Sequence, residues 1–279
     1  MKPKIIVTRD IPDEVESKLK EYFQVAFNRE DQVLTKDILI KAMENADGIV
    51  CTVTDRITDE LLTLPKKKVK IIANIGVGVD HIDLQSAKEN NVIVTNTPDV
   101  LTESTVDVAT LLLLSVTRNA FLVEKMLRQG EWKGFSLTEN LGVDVRGKIL
   151  GIVGMGRIGK AFAKRAHEVF GMKVLYHNRS PVKDLTFEAS VRFDLDALLK
   201  ESDVISLHLS SDDGNKNFIS KSRMKKIRCS SFLINTSRGD VIDQMALIDL
   251  LEKKKIAGAG LDVFLNEPNV PLELRQLSN

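Results

Sequence analysis

Residues 148–170, KILGIVGMGRIGKAFAKRAHEVF, constrain the fold more than any other stretch of this chain. An apolar run meets three closely spaced glycines, Gly154, Gly156 and Gly159, and an amphipathic helical pattern follows at once. A strand that feeds straight into a helix must return by a crossover, so the next strand lies parallel to the first. The rest of the chain keeps this rhythm. KIIVT, FQVAF, DGIVCT, VKIIANI and VIVTN alternate with helical patterns such as DEVESKLKEYF and TKDILIKAMEN. A second series, KILGIVG, MKVLYH, DVISLHL, SFLINT and IAGAGLDV, alternates with helices expected over 157–170, 194–201, 220–226 and 243–254. Short β-branched runs between helices predict parallel sheets covered on both faces. Between the two series lies a helical stretch from Leu101 to about Arg128, with a break expected near Arg118 and Asn119, and then an irregular segment, GEWKGFSLTENLGVDVRGK. The expected class is α/β, with two Rossmann-like or flavodoxin-like parallel-sheet domains, residues 1–98 and 99–279.

Composition narrows the partners. Forty basic residues face 39 acidic ones, a net charge of +1. That balance argues against a surface dedicated to nucleic acid or to membranes. Cys51 and Cys229 have neither a CxxC neighbour nor zinc-ligand spacing, so no metal site is expected, and they read as reduced thiols of a cytoplasmic protein. The N-terminus MKPKIIVTRD lacks the pattern of a secretory signal. The apolar stretch VATLLLLSVT falls short of the roughly 20 residues that span a bilayer and reads as a buried helix.

The glycine spacing carries chemistry. In a strand–turn–helix setting, Gly154 permits the tight turn, Gly156 lets backbone approach a pyrophosphate, and Gly159 permits close packing of helix on strand. The phosphates would rest on the helix N-terminus, where Arg157 and Ile158 offer N–H groups. The alternative is a glycine-rich turn without a ligand. An NAD-type site places an acid about 20 residues on, at the end of the next strand. Here YHNRSP puts His177 at that position, with Arg179 and Ser180 after it. A guanidinium and a hydroxyl suit a 2′-phosphate. The expected cofactor is therefore NADPH, with NADH possible; otherwise Arg179 is a solvated turn residue. Two more strand ends open on the same edge. Arg238 follows SFLINT, and Asp262 and Glu267 follow IAGAGL, where ligands of open α/β sheets bind.

The segments GVGVDHIDL, TPDVLTESTVDVATLLLL, GIVGMGRIGK, INTSRGDVID and AGLDVFLNEP, in this order, resemble the D-isomer-specific 2-hydroxyacid dehydrogenases. TPDVLTEST and INTSRGDVID lean toward the glyoxylate/hydroxypyruvate reductase branch. The match runs from about Ile71 onward; the first 70 residues match in strand–helix pattern only. The resemblance implies an active-site cleft between the two domains. It implies that Arg238 binds the carboxylate and carbonyl of a small 2-oxo acid, and that Glu267 supports a catalytic histidine. Val77 and Gly78 would offer backbone N–H groups to the carboxylate. Thr105 would touch the phosphates, Asp262 would orient the nicotinamide carboxamide, and His208, Thr236 and Ser237 would line the cofactor cleft. A homodimer is implied, through the helical stretch around 101–128. His81 and His167 read as structural residues.

The sequence also departs from the family pattern. A serine replaces the usual proline in SLHLSSDDGNKNFIS, and that loop is unusually polar; Asp107 stands where the family often has glutamate. The family's general acid is a histidine in a PHIG-like segment beyond the next strand, and its first domain is completed by a helix that returns from the C-terminal end. The four histidines here are His81, His167, His177 and His208, and none follows Glu267. The expectation is that these 279 residues are part of a longer chain, with the first domain lacking its return helix and the second its last strand. Two functions are thus expected in turn. The first is NAD(P)H-dependent reduction of glyoxylate, hydroxypyruvate or a similar 2-oxo acid to the D-2-hydroxy acid. The alternative is a dinucleotide-sensing binding protein without catalysis.

Overall fold

The structure, a computed structural model, describes residues 1–210 and 214–279. The chain divides into two units, Met1–Leu101 and Thr102–Asn279. In the first, the elements run β1 (Lys4–Val7), α1 (Asp13–Tyr22), β2 (Gln24–Phe27), α2 (Lys36–Asn45), β3 (Gly48–Cys51), α3 (Asp59–Leu62), β4 (Ile71–Asn74), α4 (Leu84–Glu89) and β5 (Ile93–Thr95). Every expected apolar run became a strand, and all pairs are parallel in the order β2-β1-β3-β4-β5. This is the flavodoxin-like order. Leu39, Met43, Ile49, Leu61, Leu62 and Ile72 form its core.

The second unit begins with α5 (Thr102–Thr117) and α6 (Ala120–Arg128). The two helices diverge by 67° at the expected break, where Asn119 takes a left-handed conformation (φ 53°). The chain then continues through β6 (Ile149–Val153), α7 (Arg157–Phe170), β7 (Lys173–His177), β8 (Ala189–Val191), α8 (Leu195–Glu201), β9 (Val204–Leu207), α9 (Lys221–Met224), β10 (Phe232–Asn235), α10 (Gln244–Glu252), β11 (Gly258–Leu261) and α11 (Leu272–Gln276). The six strands are parallel in the order β11-β10-β9-β6-β7-β8. Counted within this unit the order is that of a dinucleotide-binding sheet, with the switch point between β6 and β9.

Alternation along these buried strands builds two cores. Leu150, Ile152 and Ile234 face Phe162 of α7 and Leu113 of α5, while Val153, Ile205 and Leu233 face Leu198, Leu247 and Leu251. Arg165 of α7 ties the first face to α5, bonding Glu103 at 2.7 Å and also Asp107. Asp107 can therefore serve as an ion-pair partner despite being shorter than glutamate.

Two expectations need correction. The strand β8 was not foreseen. It is a three-residue edge strand paired on one side only and half-exposed, so it carries no continuous apolar run to announce it. The helix α5 is buried on one face only. Val106, Ala109 and Leu113 are buried, but Leu111 and Leu114 lie open. Among the described residues no single helix is long and apolar enough to cross a membrane. The polar loop singled out in SLHLSSDDGNKNFIS falls partly on residues 211–213, which lie outside the described residues.

Candidate functional site

In the second unit, the loop between β6 and α7 lies at the switch point. The three glycines are required for three different reasons. Gly154 has φ +94°, and a Cβ there would sit 2.5 Å from the carbonyl oxygen of His208. A Cβ on Gly159 would meet Gly154 O at 2.2 Å, so helix and strand could not close up. Gly156 is constrained by neither effect. Its φ is −77°, and a Cβ would find nothing within 4 Å. Turn geometry and internal packing would both accept a side chain there. What remains is space kept open for something outside the protein, which is the demand a pyrophosphate makes. The helix α7 begins without a side-chain cap, and first-turn N–H groups have no acceptor within a helix. Ile158 is half-buried and Arg157 exposed at this end. An anion is favoured there by N–H groups and dipole together.

The walls are built by the ends of β7, β9 and β10. His177 closes β7 and is engaged through Nδ1 with Arg192 O at 2.9 Å. Among the described residues no carboxylate occupies that strand end. Arg179 and Ser180 are exposed on the turn that follows, which Asn178 Nδ2 holds by donating to Ser180 O at 3.0 Å. His208 follows β9. Its Nε2 lies 2.9 Å from Ser206 Oγ and its ring packs on Phe162. Some ring area stays open, yet protein encloses the imidazole enough that burial pushes its pKa down to about 4. It is a neutral side chain at pH 7. Thr236, just past β10, is buried, and its Oγ1 has no partner among the described residues. A hydroxyl so placed fits a wall completed by a polar ligand. Glycine loop, uncapped helix and orphaned hydroxyl together fit a dinucleotide.

Beyond β10 the chain makes a turn that carries Ser237 and Arg238. Asn235, the buried last residue of β10, governs it. Its Oδ1 accepts from Ser237 N–H (3.0 Å) and Oγ (2.8 Å), its Nδ2 donates to Arg238 O (2.9 Å), and its own carbonyl accepts Asp262 N–H (3.0 Å). Arg238 Nη1 donates to Ser237 O at 2.9 Å. The turn carrying Asp262 and Glu267 follows β11, and both side chains are exposed. Glu267 Oε1 accepts the N–H of Phe264 at 2.6 Å, so its carboxyl closes its own turn. The two turns touch. A Cβ on Gly239 would lie 2.0 Å from the carbonyl carbon of Phe264. Thr105 lies half-buried in the first turn of α5.

In the first unit, Val77 and Gly78 lie on the loop after β4. Asn74, buried at the end of β4, donates from Nδ2 to Gly76 O (3.1 Å) and Gly78 O (2.9 Å) and accepts at Oδ1 from His81 Nε2 (3.0 Å). Asn96 Nδ2 donates to Val77 O at 2.8 Å. Both carbonyls are thereby held by protein, and the N–H groups of Val77 and Gly78 have no acceptor among the described residues. His81 has the structural engagement read from the sequence, as does His167, whose Nδ1 lies 3.1 Å from Met172 O.

Sequence reasoning missed Asn74, Asn235, Gly239 and Gln244. Each asparagine ends a buried strand just before a sharp turn, and a polar amide in that position is the signal that was available. Nothing local marks Gly239 or Gln244, whose contacts lie on another turn.

Known proteins share this fold and much of this sequence. The sequence model of the family described as "D-isomer specific 2-hydroxyacid dehydrogenase, NAD binding domain" matches residues 110–279. Glyoxylate reductase of Thermococcus litoralis is 41% identical over 284 aligned residues, covering 100% of this chain and 85% of the relative. That similarity includes the first 70 residues, where motifs gave only a pattern. A glyoxylate reductase structure from Paecilomyes thermophila superposes with a TM-score of 0.87 at 31% identity, covering 99% of this chain and 86% of that one. The NADPH-dependent glyoxylate/hydroxypyruvate reductase of Sinorhizobium meliloti, solved with NADP and malonate, gives a TM-score of 0.85 at 33% identity, covering 100% and 84%.

Proposed function

This chain belongs to the D-isomer-specific 2-hydroxyacid dehydrogenases, and from that premise we propose that it reduces glyoxylate, hydroxypyruvate or a similar small 2-oxo acid with a nicotinamide dinucleotide. The observation that carries the reading is a dinucleotide loop after β6 and an arginine turn after β10, which open on the same edge of one parallel sheet with β9 between them. A bound nicotinamide dinucleotide would supply the hydride to the carbonyl carbon, and the hydroxyl proton would come from the donor that Glu267 orients.

The residues divide the remaining work. Gly154, Gly156, Arg157, Ile158 and Gly159 receive the pyrophosphate, with Thr105 beside it. Arg179 and Ser180 take the ribose 2′-phosphate, which favours NADPH; both are exposed on the turn after β7. His208, Thr236 and Ser237 line the cofactor, and Asp262 orients its carboxamide. The neutral His208 adds no positive charge to that wall. The substrate carboxylate takes the N–H groups of Val77 and Gly78. Arg238 binds the carboxylate and stabilises the negative charge that develops on the carbonyl oxygen. Glu267 is assigned to orient the proton donor. The histidines of the second unit, His167, His177 and His208, are engaged with Met172, Arg192 and Ser206, and none is assigned that proton.

The alternative of a dinucleotide-sensing protein draws on that last point alone. The relatives named for reductase activity at 41% identity favour the enzyme. A second copy of the chain is proposed to cover α6 and the segment after it. No residue of α6 is buried, and Trp132 and Phe135 are 65% and 88% exposed beside it. Apolar area of that kind marks an interface. The cytoplasm is the proposed location.

The test is NADPH oxidation followed at 340 nm with glyoxylate, for the wild type and Arg238→Ala. The reading expects measurable wild-type turnover and a loss of roughly 10²–10³-fold in the variant, the scale of one lost charge-stabilising donor. NADPH binding without turnover in the wild type would leave the sensing protein as the better reading.

A further inference from the structure

We propose that Gln244 is a positioning residue for the reaction: it fixes the turn that bears Glu267 against the turn that bears Arg238. The proposal rests on the reading above, in which Arg238 binds the substrate and Glu267 orients the proton donor to it.

Gln244 is the first residue of α10 and is buried. The preceding residue, Asp243, already caps the helix, its Oδ1 accepting Ala246 N–H at 3.0 Å. The glutamine side chain is therefore not needed for the helix start. It reaches to a different segment, and its Oε1 accepts the N–H of Leu265 at 2.9 Å. Buried polar side chains are retained where their hydrogen bonds are made. This one is made to the middle of the Glu267 turn.

That turn has few other anchors. Asp262 N–H is fixed to Asn235 O, at the strand end. Phe264 N–H is bonded to Glu267 itself, which shapes the turn without attaching it to anything else. Besides the packing of the half-buried Phe264 and Leu265 side chains, the turn is in contact with Gly239, where a Cβ would come within 2.5 Å of Leu265 N. Contact of this kind stops the turn from moving inward and does not stop it from lifting away. The Leu265–Gln244 bond supplies the opposing hold. Gly239 and Gln244 both lie within six positions of Arg238 in the sequence, so the same short segment that carries the arginine also clamps the glutamate turn from two sides. A displacement of about 1 Å at a reacting group can cost on the order of 10²-fold in rate.

The experiment compares Gln244→Leu, which removes the acceptor at similar volume, with Gln244→Glu, which keeps it. A carboxylate is also tolerated in the first turn of a helix. Steady-state kinetics with glyoxylate and fluorescence titration with NADPH are run at a temperature where circular dichroism shows each variant folded. Gln244→Leu is expected to lose about 10-fold or more in kcat/KM for glyoxylate, with its NADPH Kd unchanged. Gln244→Glu is expected to recover to within about 3-fold of wild type, since it keeps the bond to Leu265. Wild-type kinetics in Gln244→Leu would overturn the proposal, as would an equal loss in Gln244→Glu or a parallel loss of NADPH affinity, each of which indicates a merely structural role. Glu267→Gln is the control. Wild-type kinetics there would overturn the role given to Glu267 itself; a loss there, with Gln244→Leu unaffected, would overturn only the role given to Gln244.

Discussion

The carbonyl oxygen of His208 stands 2.5 Å from where a Cβ on Gly154 would be. One histidine therefore bounds the cofactor loop twice, with its backbone against the glycine turn and its neutral ring against Phe162 of the following helix.

Gly154 and Gly156 should respond oppositely to alanine. Gly154→Ala meets His208 O and must hold φ +94°, so it should unfold earlier, by about 2 kcal/mol or more in urea. Gly156→Ala meets no protein atom within 4 Å and has an ordinary φ of −77°. Its stability should match or exceed wild type by up to about 1 kcal/mol, while NADPH affinity falls. If Gly156→Ala bound NADPH as wild type does, the space above that residue would not belong to the pyrophosphate.

Stability should decline on mild acidification. His208 titrates at about 4 when folded against the ordinary 6.5, so the unfolded chain takes up the proton first as pH falls. The contribution is complete above 6.5 and is lost between 6.5 and about 4. Between pH 7 and 5 the loss should be about 1–2 kcal/mol, allowing for the ring's partial exposure. His208→Asn should flatten the dependence. Urea midpoints at both pH values decide it, in a window that largely avoids the carboxylates of Glu16 and Glu201, whose arginine partners hold them below their usual range.

Arg179→Ala should weaken NADPH binding about 10-fold or more and leave NADH nearly unchanged, because one charge-assisted bond to the 2′-phosphate is removed. Titration of intrinsic fluorescence with each cofactor measures this. Equal wild-type affinities for the two would remove the basis for the preference.

Only one thiol should react in the native protein. Cys229 is exposed, while Cys51 is buried and its pKa is pushed up to about 12, first by burial and then by the charge of Asp55. A thiol-disulfide reagent should label one cysteine per chain before denaturation and both after. Rapid native labelling of Cys51 would show that the first unit opens readily.

Phe135→Glu combined with Trp132→Glu should shift the protein toward monomer in sedimentation velocity, with its folded circular dichroism retained. Both side chains are mostly exposed in the single chain, so their loss removes no core packing. An unchanged sedimentation coefficient would move the proposed interface elsewhere.

What the sequence determined by itself was local. The strand–glycine–helix run at 148–170 fixed the parallel sheet, the cofactor loop and the three separate needs for glycine, because a turn, its strand and its helix are consecutive in the chain. The break at Asn119 was legible for the same reason. The sequence also marked Arg238 and Glu267 as strand-end residues. It could not show how they are held. Asn235 meets Asp262 because β10 and β11 pair in parallel register, Gln244 meets Leu265 across 21 positions, and Gly239 abuts Phe264. His208 was assigned to the cofactor cleft, but its neutral state follows only from the protein that encloses its ring. These features arise from segments that meet only after the sheet has closed, and no local propensity carries that distance. Patterning assigns a residue to a strand end or a turn; tertiary packing decides which other turn it touches, and whether its charge survives there.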